Sequence, residues 1–383
     1  MNKKVLTTAS AVLAGFSFAG AAHAQSSVTL YGIIDAGITY VNHANAQAKD
    51  LVQYGDGVAQ GSRWGLKGSE DLGGGLKAIF TLENGFNSGN GTLGQGGDLF
   101  GRQAWVGLSK DGIGSLTFGR QYTFSTDYLG GSYANGGQTV GGNYAYHIND
   151  IDQLTSSRIN NSVKFSSANF YGLTFGAMYG FSNQAGAFAG APGTGGSSSA
   201  YSFGLNYVNG PFAIGAAYTD IRFPASASPS FSTSLANASI TGTAKDLATT
   251  GVGAKYSLGA ATMWALWTHT NIDQIVGHMT TFNSYEAGGK YAFTPALTGA
   301  LGYTYMQASD LTNGHWNQVD ASVDYALSKR TDVYLLGIYQ DASGKNAKNA
   351  DLQSQIGVST SSYLPVAGAS TQLAVRVGIR HKF

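Results

Sequence analysis

Between Ser62 and Asn87 the chain reads SRWGLKGSEDLGGGLKAIFTLENGFN, and its side chains sort into two sets by alternation. Arg63, Gly65, Lys67 and Ser69 share one side, and Trp64, Leu66 and Gly68 the other. Residues 71–75 (Asp-Leu-Gly-Gly-Gly) tolerate positive φ and suit a tight turn. Beyond it Leu76, Ala78, Phe80 and Leu82 face one way and Lys77, Ile79, Thr81 and Glu83 the other. A period of two on both sides of a short turn predicts a β-hairpin with strands of about ten residues.

The same alternation recurs to the end of the chain. Residues 27–41 predict a first strand, with Val28, Leu30, Ile34, Ala36 and Ile38 opposed to Thr29, Tyr31, Asp35 and Thr39, and a polar loop is expected from there to about residue 60. Further strands are predicted at 98–109, 115–122, 158–165, 173–181, 201–207, 212–218, 246–258, 261–271, 281–293, 296–308, 316–327, 331–341 and 371–383, sixteen in all with the opening hairpin. Short turns at 258–260, 293–295 and 327–330 alternate with long loops at 223–245, 272–280, 309–315 and 342–370. An even strand number with short turns at one end and long loops at the other is the pattern of a membrane barrel. A soluble solenoid would carry a fixed short repeat, and the chain has none. Residues 124–157 break the rhythm. This connection is rich in Gly, Asn, Tyr and Ser, and its Tyr128, Tyr133, Tyr144 and Tyr146 predict packing rather than disorder.

Composition decides which face of each strand meets a core. Charged residues are only 11% of the chain and aromatics 12%, with 55 glycines, 6 prolines and no cysteine. Soluble domains carry about a quarter charged residues. The apolar faces are therefore expected to meet lipid and the polar faces a water-filled interior. Each strand has aliphatic residues in its middle and aromatics near an end, the mark of aromatic girdles at two membrane interfaces. No segment after the first residues has the 18 or so unbroken apolar residues of a membrane helix, which leaves closure of the sheet as the way to satisfy every backbone group in lipid. With no disulfides available, stability is expected from that closure.

The chain starts as an export signal would: Asn2-Lys3-Lys4, an apolar run from Val5 to Gly20, and Ala22-His23-Ala24 before Gln25. Cleavage after Ala24 would divide the chain into a signal, 1–24, and a barrel, 25–383. Loss of Lys3 and Lys4 leaves 20 basic residues against 21 acidic, a balance of −1. That balance, with no basic cluster, argues against a nucleic-acid partner.

Signals for catalysis are sparse. Gly89-Asn90-Gly91-Thr92-Leu93-Gly94 fits GxGxxG, but no helical period follows it, so the strand-turn-helix context of a dinucleotide site is missing. GxxxxGK[ST] and GxSxG are absent. The histidines at 43, 147, 269, 278, 315 and 381 are scattered without ligand spacing, so no metal or cofactor is expected. Asn90-Gly91-Thr92 and Asn237-Ala238-Ser239 fit the glycosylation pattern at a rate expected by chance. What remains is charge on the polar face. Parity turns Arg63, Lys67, Lys77, Arg158 and Lys164 inward, together with Asp35, Glu83, Glu286, Lys290, Asp320 and Asp324. Most of these read as solvated by a wide lumen, while Arg63 and Arg158 lie near long loops. The parity of Arg102 is obscured by Gln103 and Trp105, and that of Arg120 points outward unless a bulge intervenes.

Six stretches, SSVTLYGIIDAG, SRWGLKGSEDLGGGLKAIFTLENGF, GRQAWVGLS, GSLTFGRQY, RINNSVKFSS and the terminal GIRHKF, together span the chain after the signal. In these the sequence resembles the trimeric general porins of the Gram-negative outer membrane, of the kind found in Neisseria and Burkholderia relatives. The resemblance implies an all-β fold, a 16-stranded antiparallel transmembrane β-barrel. It implies a homotrimer, and a third long loop, here residues 124–157, folded inward to narrow the pore. It implies basic wall residues, which in the matching motifs are Arg63, Arg102 and Arg158, facing loop acids, which would be Asp127, Asp150 and Asp152. The loop lacks the PEF-type tip of some relatives. Phe383, preceded at alternate positions by Ile379, Val377, Val375 and Leu373, resembles the signal read by the barrel-assembly machinery. Outer-membrane lipid and lipopolysaccharide would surround the barrel.

The function this implies is passive diffusion of ions and small hydrophilic solutes across the outer membrane. Size would be set by the inserted loop and charge preference by a transverse field, with an anion bias because arginine does not lose its charge. Lys67, Lys77 and Lys164 would add to the lining charge. A substrate-specific channel would need a ladder of aromatics along the lumen. An adhesin or structural barrel would be plugged. An enzyme would need a catalytic arrangement that the sequence does not show.

Overall fold

The structure, a computed structural model, describes residues 27–155, 157–192, 198–224, 244–275, 279–310, 313–346, 349–357 and 364–383. The export signal, Asn237-Ala238-Ser239 and parts of the long loops lie outside these residues. Strand segments follow one another as β1 (Ser27–Val41), β2 (Leu51–Asp56), β3 (Arg63–Gly73), β4 (Leu76–Gly85), β5 (Gln103–Lys110), β6 (Gly114–Tyr122), β7 (Arg158–Ser167) and β8 (Leu173–Gly180). Then come β9 (Ser199–Asn209), β10 (Phe212–Arg222), β11 (Ala244–Leu258), β12 (Ala261–Gln274), β13 (Thr280–Ala292), β14 (Leu297–Ser309), β15 (Asn313–Ala326), β16 (Thr331–Lys345) and β17 (Thr371–Lys382).

Apart from β2 and β3, which do not pair with each other, each strand pairs antiparallel with its neighbours in sequence. β17 returns to β1, with a register from Ile33↔Lys382 to Val41↔Ala374. The sheet therefore closes, and closure removes the free edges that lipid would not tolerate. β2 and β3 both lie against β1: Ala36↔Asp56 to Val41↔Leu51 for β2, and Ser27↔Ser69 to Ile33↔Arg63 for β3. They are two parts of one stave interrupted by residues 57–62, so the 17 segments build a barrel of sixteen staves. The polar loop expected up to residue 60 thus contains a strand. Its Val52 and Tyr54 lie opposite Tyr40 and Ile38 and extend the outward apolar face.

No helix among the described residues is long and apolar enough to cross a membrane. The outer surface carries Leu301, Val377, Val323 and Leu335 in mid-strand and Tyr256, Tyr291, Phe293 and Tyr325 near the short turns, the distribution expected of a lipid-facing barrel.

The buried core lies inside the barrel. Residues 124–155 fold inward as a π turn (Ser125–Gly130) and short helical turns at Gly131–Tyr133, Asn135–Gln138 and Gly142–Ala145. Phe124, Leu129, Tyr133, Tyr146 and Leu154 pack on Met178, Ala213, Ala217, Ile221 and Leu266 of the inner wall. Ile148 and Ile151 pack on Leu247, Ile272 and Phe282. Val140, Tyr144 and Ala145 pack on Tyr334, Leu336 and Ile338. The apolar residues of the loop thus find in the lumen what a soluble protein would offer between layers. The tyrosines that predicted packing do pack, with Tyr133, Tyr144 and Tyr146 buried.

Candidate functional site

A cavity of about 650 Å³ remains between the loop and the wall. On one side it is lined by Arg63, Arg102, Tyr122 and Arg158, on the other by Lys290, Ser322, Asp324 and Arg380, with Asp127, Gln138, Asn143 and Tyr146 from the loop. Arg63 Nε stands 3.6 Å from Glu83 Oε2 and Arg102 Nε 2.8 Å from Glu83 Oε1. Tyr31 donates its hydroxyl to the same carboxylate at 2.9 Å. Two guanidinium groups therefore share one carboxylate and leave a positive surplus. Arg158 lies 4.8 Å over the Tyr122 ring, and among the described residues no carboxylate is within ion-pairing distance of it. Across the cavity Lys290 donates to the Gln138 carbonyl at 3.0 Å. Arg380 pairs with Asp332 at 3.1 Å and Asp324 at 3.7 Å.

The loop is held in place by a polar socket beneath it. Asn135 donates its backbone N–H to Glu286 Oε1 (2.8 Å) and its amide to Thr304 (3.2 Å), and accepts from the Trp264 indole (2.8 Å). Gly288 and Gly302 make the room. A Cβ on Gly302 would sit 2.4 Å from Asp320 Oδ2 and 2.6 Å from Asn135 Oδ1. His147, fully buried, joins Asp152 through Nδ1, and its Nε2 lies 3.2 Å from Glu286 Oε2. Asp152 also accepts from Thr268 at 2.8 Å. Burial disfavours the imidazolium, but the carboxylates of Asp152 and Glu286 outweigh it and hold His147 well above the ordinary histidine range. Glu286 thus receives both Asn135 and His147, two points of the loop twelve residues apart.

The geometry sorts the residues singled out in the sequence. Arg63, Arg102, Arg158 and Asp127 line the cavity. Asp150 and Asp152 do not, which corrects the expectation that they face the arginines. Both are about 1% exposed. Asp150 accepts from Thr155 N–H and Oγ1 at 3.0 and 2.8 Å, and Asp152 is spent on His147. Lys164 pairs with Asp127 and donates to the Tyr122 carbonyl at 2.7 Å. Lys67 lies 5.5 Å over the Tyr31 ring on the inner wall, and Lys77 pairs with Asp111 at a turn, 3.5 Å away. Phe383 exchanges backbone hydrogen bonds with Gly32 at 3.0 and 3.1 Å. Glu286 and Asp320, read as solvated lumen charges, are buried under the loop. At Arg120 the register shifts between Gly119 and Gln121, and its Nε donates to the Gly101 carbonyl at 2.8 Å. The sequence reading did not single out Asn135 or His147. Their signal, one buried asparagine and one histidine in a Gly-rich loop, has meaning only beside Glu286.

Known proteins share this fold. The family model described as Gram-negative porin matches residues 9–345. An outer membrane porin protein of Bordetella pertussis is 34% identical, with all of both chains covered. The chain belongs to the Gram-negative porin family. Outer membrane porin protein 32 of Delftia acidovorans is 30% identical over 97% of this porin and 98% of that protein. A solved structure titled "Anion-selective porin from Comamonas acidovorans" superposes with a TM-score of 0.75 at 26% identity, covering 94% of this porin and all of that chain. The porin is accordingly a passive channel of the outer membrane, and its homologues are channels rather than enzymes.

Proposed function

We propose that the porin is anion-selective and that Arg63, Arg102 and Arg158 set the preference, with Asp127 as the one loop acid at the constriction. The observation that carries this is the charge surplus: two arginines on one carboxylate, and a third arginine over the Tyr122 ring with none among the described residues. Lys290 on the opposite wall lends support, because a channel with cations on both sides concentrates anions instead of setting up a transverse field. The relative from Comamonas acidovorans is titled anion-selective, which agrees. Lys67, Lys77 and Lys164 are lesser contributors, the last two being paired. On this reading residues 1–24 direct export, three copies assemble in outer-membrane lipid and lipopolysaccharide, and Phe383 engages the barrel-assembly machinery. The channel is tested in a planar bilayer with a salt gradient. The wild type should give a reversal potential of anion sign. Arg158→Ser and Arg63→Ser should each lower the chloride-over-potassium permeability ratio by about twofold. Unchanged reversal potentials in both variants would remove these residues from the constriction.

A further inference from the structure

Glycines of the inner wall are covered by rings. A Cβ on Gly176 would run into Phe124, one on Gly253 into Tyr133 and one on Gly288 into Trp264. Two glycines of the outer wall are open instead. A Cβ on Gly337 of β16 would meet nothing within 4 Å, and one on Gly289 of β13 nothing nearer than 3.7 Å. Register accounts for the opening. Met263, Gly289, Leu301, Ala321, Gly337 and Val375 stand side by side in one row across β12 to β17. Ala321 and Gly337 are neighbours in that row, so between Leu301 and Val375 the wall is two strands wide with no side chain larger than a methyl. The result is an outward hollow of about 700 Å³ that continues over Gly299 to the Phe293 ring near the short turns. Small-molecule sites have volumes of about 300–1,000 Å³.

An unfilled hollow forfeits the dispersion contacts of its lining, and depth and charge decide what fills this one. Along β16, Gly337 is six residues from Thr331 at the short-turn end, about 20 Å of strand at about 3.4 Å per residue. With strands tilted by about 40°, this is a depth of about 15 Å, half of a hydrocarbon core of about 30 Å. The hollow therefore spans one leaflet, and short turns face the periplasm. Of the turns beneath it, 258–260 and 293–296 carry no charge, and 327–330 carries Lys329 and Arg330. Both cations are exposed, and among the described residues no carboxylate is within ion-pairing distance of either. Asp324 and Asp332, the acids on either side in sequence, are held by Arg380 at 3.7 and 3.1 Å. This turn adjoins the foot of the hollow, because Ala326 donates its N–H to the Ala296 carbonyl at 2.8 Å, three residues before Gly299. We infer that the hollow holds an acyl chain of an anionic glycerophospholipid of the periplasmic leaflet, with the phosphate on Lys329 and Arg330. Exposed Tyr291, Phe293 and Tyr325 frame the foot at headgroup level. A phosphate there keeps the two cations solvated, whereas a second barrel on this face would desolvate them. The site is independent of the ion preference of the pore.

The test is native mass spectrometry of the folded porin from detergent micelles holding equal amounts of phosphatidylglycerol and phosphatidylcholine. The wild type should retain phosphatidylglycerol about tenfold more than phosphatidylcholine. Gly337→Leu fills the hollow from a position where its Cβ meets nothing, and should lower phosphatidylglycerol retention by about fivefold. Gly289→Leu should act in the same direction and carries the test if Gly337→Leu does not fold, as judged by heat-modifiable migration. The double variant Lys329→Gln, Arg330→Gln should bring the two lipids to equal retention. None of these should alter the reversal potential, since neither cation lines the constriction. Equal retention of both lipids by the wild type, or wild-type retention of phosphatidylglycerol in both leucine variants, would overturn the inference. A shift of Gly337→Leu to smaller oligomers with its lipid retained would also overturn it, and would assign the hollow to a second copy of the chain.

Discussion

At the residue scale the constriction depends on side chains whose partners lie far away in sequence. Asn135 uses its backbone N–H, its amide and its carbonyl oxygen on three different strands, β13, β14 and β12. Gly302 makes that possible by leaving space that any side chain would fill. Gly302→Val would push into Asp320 and Asn135 from the wall, and overpacking of this kind costs about 1–3 kcal/mol. The barrel should survive, since its ladder hydrogen bonds are untouched, but the loop should be displaced from its socket. Single-channel conductance of Gly302→Val should therefore rise above wild type or become noisy, with unchanged heat-modifiable migration of the folded barrel. Wild-type conductance with low noise would show that the socket does not set the loop position. The inward basic residues were legible because parity on a strand is a strict period of two. Arg120 was not, because the shift at Gly119, whose φ is 137°, resets that period within one residue.

At the element scale the inserted loop behaves as a strap with a charged clasp. His147 bridges Asp152 of the loop and Glu286 of β13, with Asp320 of β15 close behind Glu286 and Tyr146 and Asp150 on the loop side. The His147 pKa in the docked loop is raised above its unfolded value. The clasp is therefore fully present below the unfolded histidine value of about 6.5 and weakens only as pH rises through the raised one. Current noise should stay flat from mildly acidic to neutral pH and increase on the alkaline side. In His147→Gln, the alkaline increase should be absent and noise should be elevated at every pH. An increase in wild-type noise between neutral pH and pH 6, with quiet alkaline traces, would reverse the sign and refute the clasp. The strands were legible because alternation survives in each, with one exception. Leu51–Asp56 offers only six residues before Gly57 turns away, too few to stand out from a polar loop. The docking of the loop was legible only as an expectation of packing, because Asn135 and His147 meet Glu286 across more than a hundred residues.

At the scale of the whole molecule, the barrel has one joint that chain continuity does not provide, the seam between β17 and β1. Arg376 of β17 crosses it on the inner face. Its guanidinium donates to the Tyr334 hydroxyl at 2.9 Å, to Thr39 Oγ1 at 3.1 Å and to the Gly55 carbonyl at 3.0 Å, and lies 3.5 Å from Asp35 Oδ1. Four strand segments, β1, β2, β16 and β17, are therefore joined by one side chain, and both charges are fully buried. Removing one partner of such a pair strands the other and costs about 3–5 kcal/mol, whereas replacing both with apolar residues is often neutral. Arg376→Ala should lower the temperature at which the folded barrel converts to its slow-migrating unfolded form. The double variant Arg376→Met, Asp35→Leu should recover most of that loss. Neither should change the sign of ion selectivity, because Arg376 lies beneath Tyr144 and does not line the cavity. Equal thermal stability of Arg376→Ala and wild type would show that backbone pairing from Ile33↔Lys382 to Val41↔Ala374 closes the seam unaided. A selectivity change in Arg376→Ala with unchanged stability would instead place the buried pair within reach of the permeating ions.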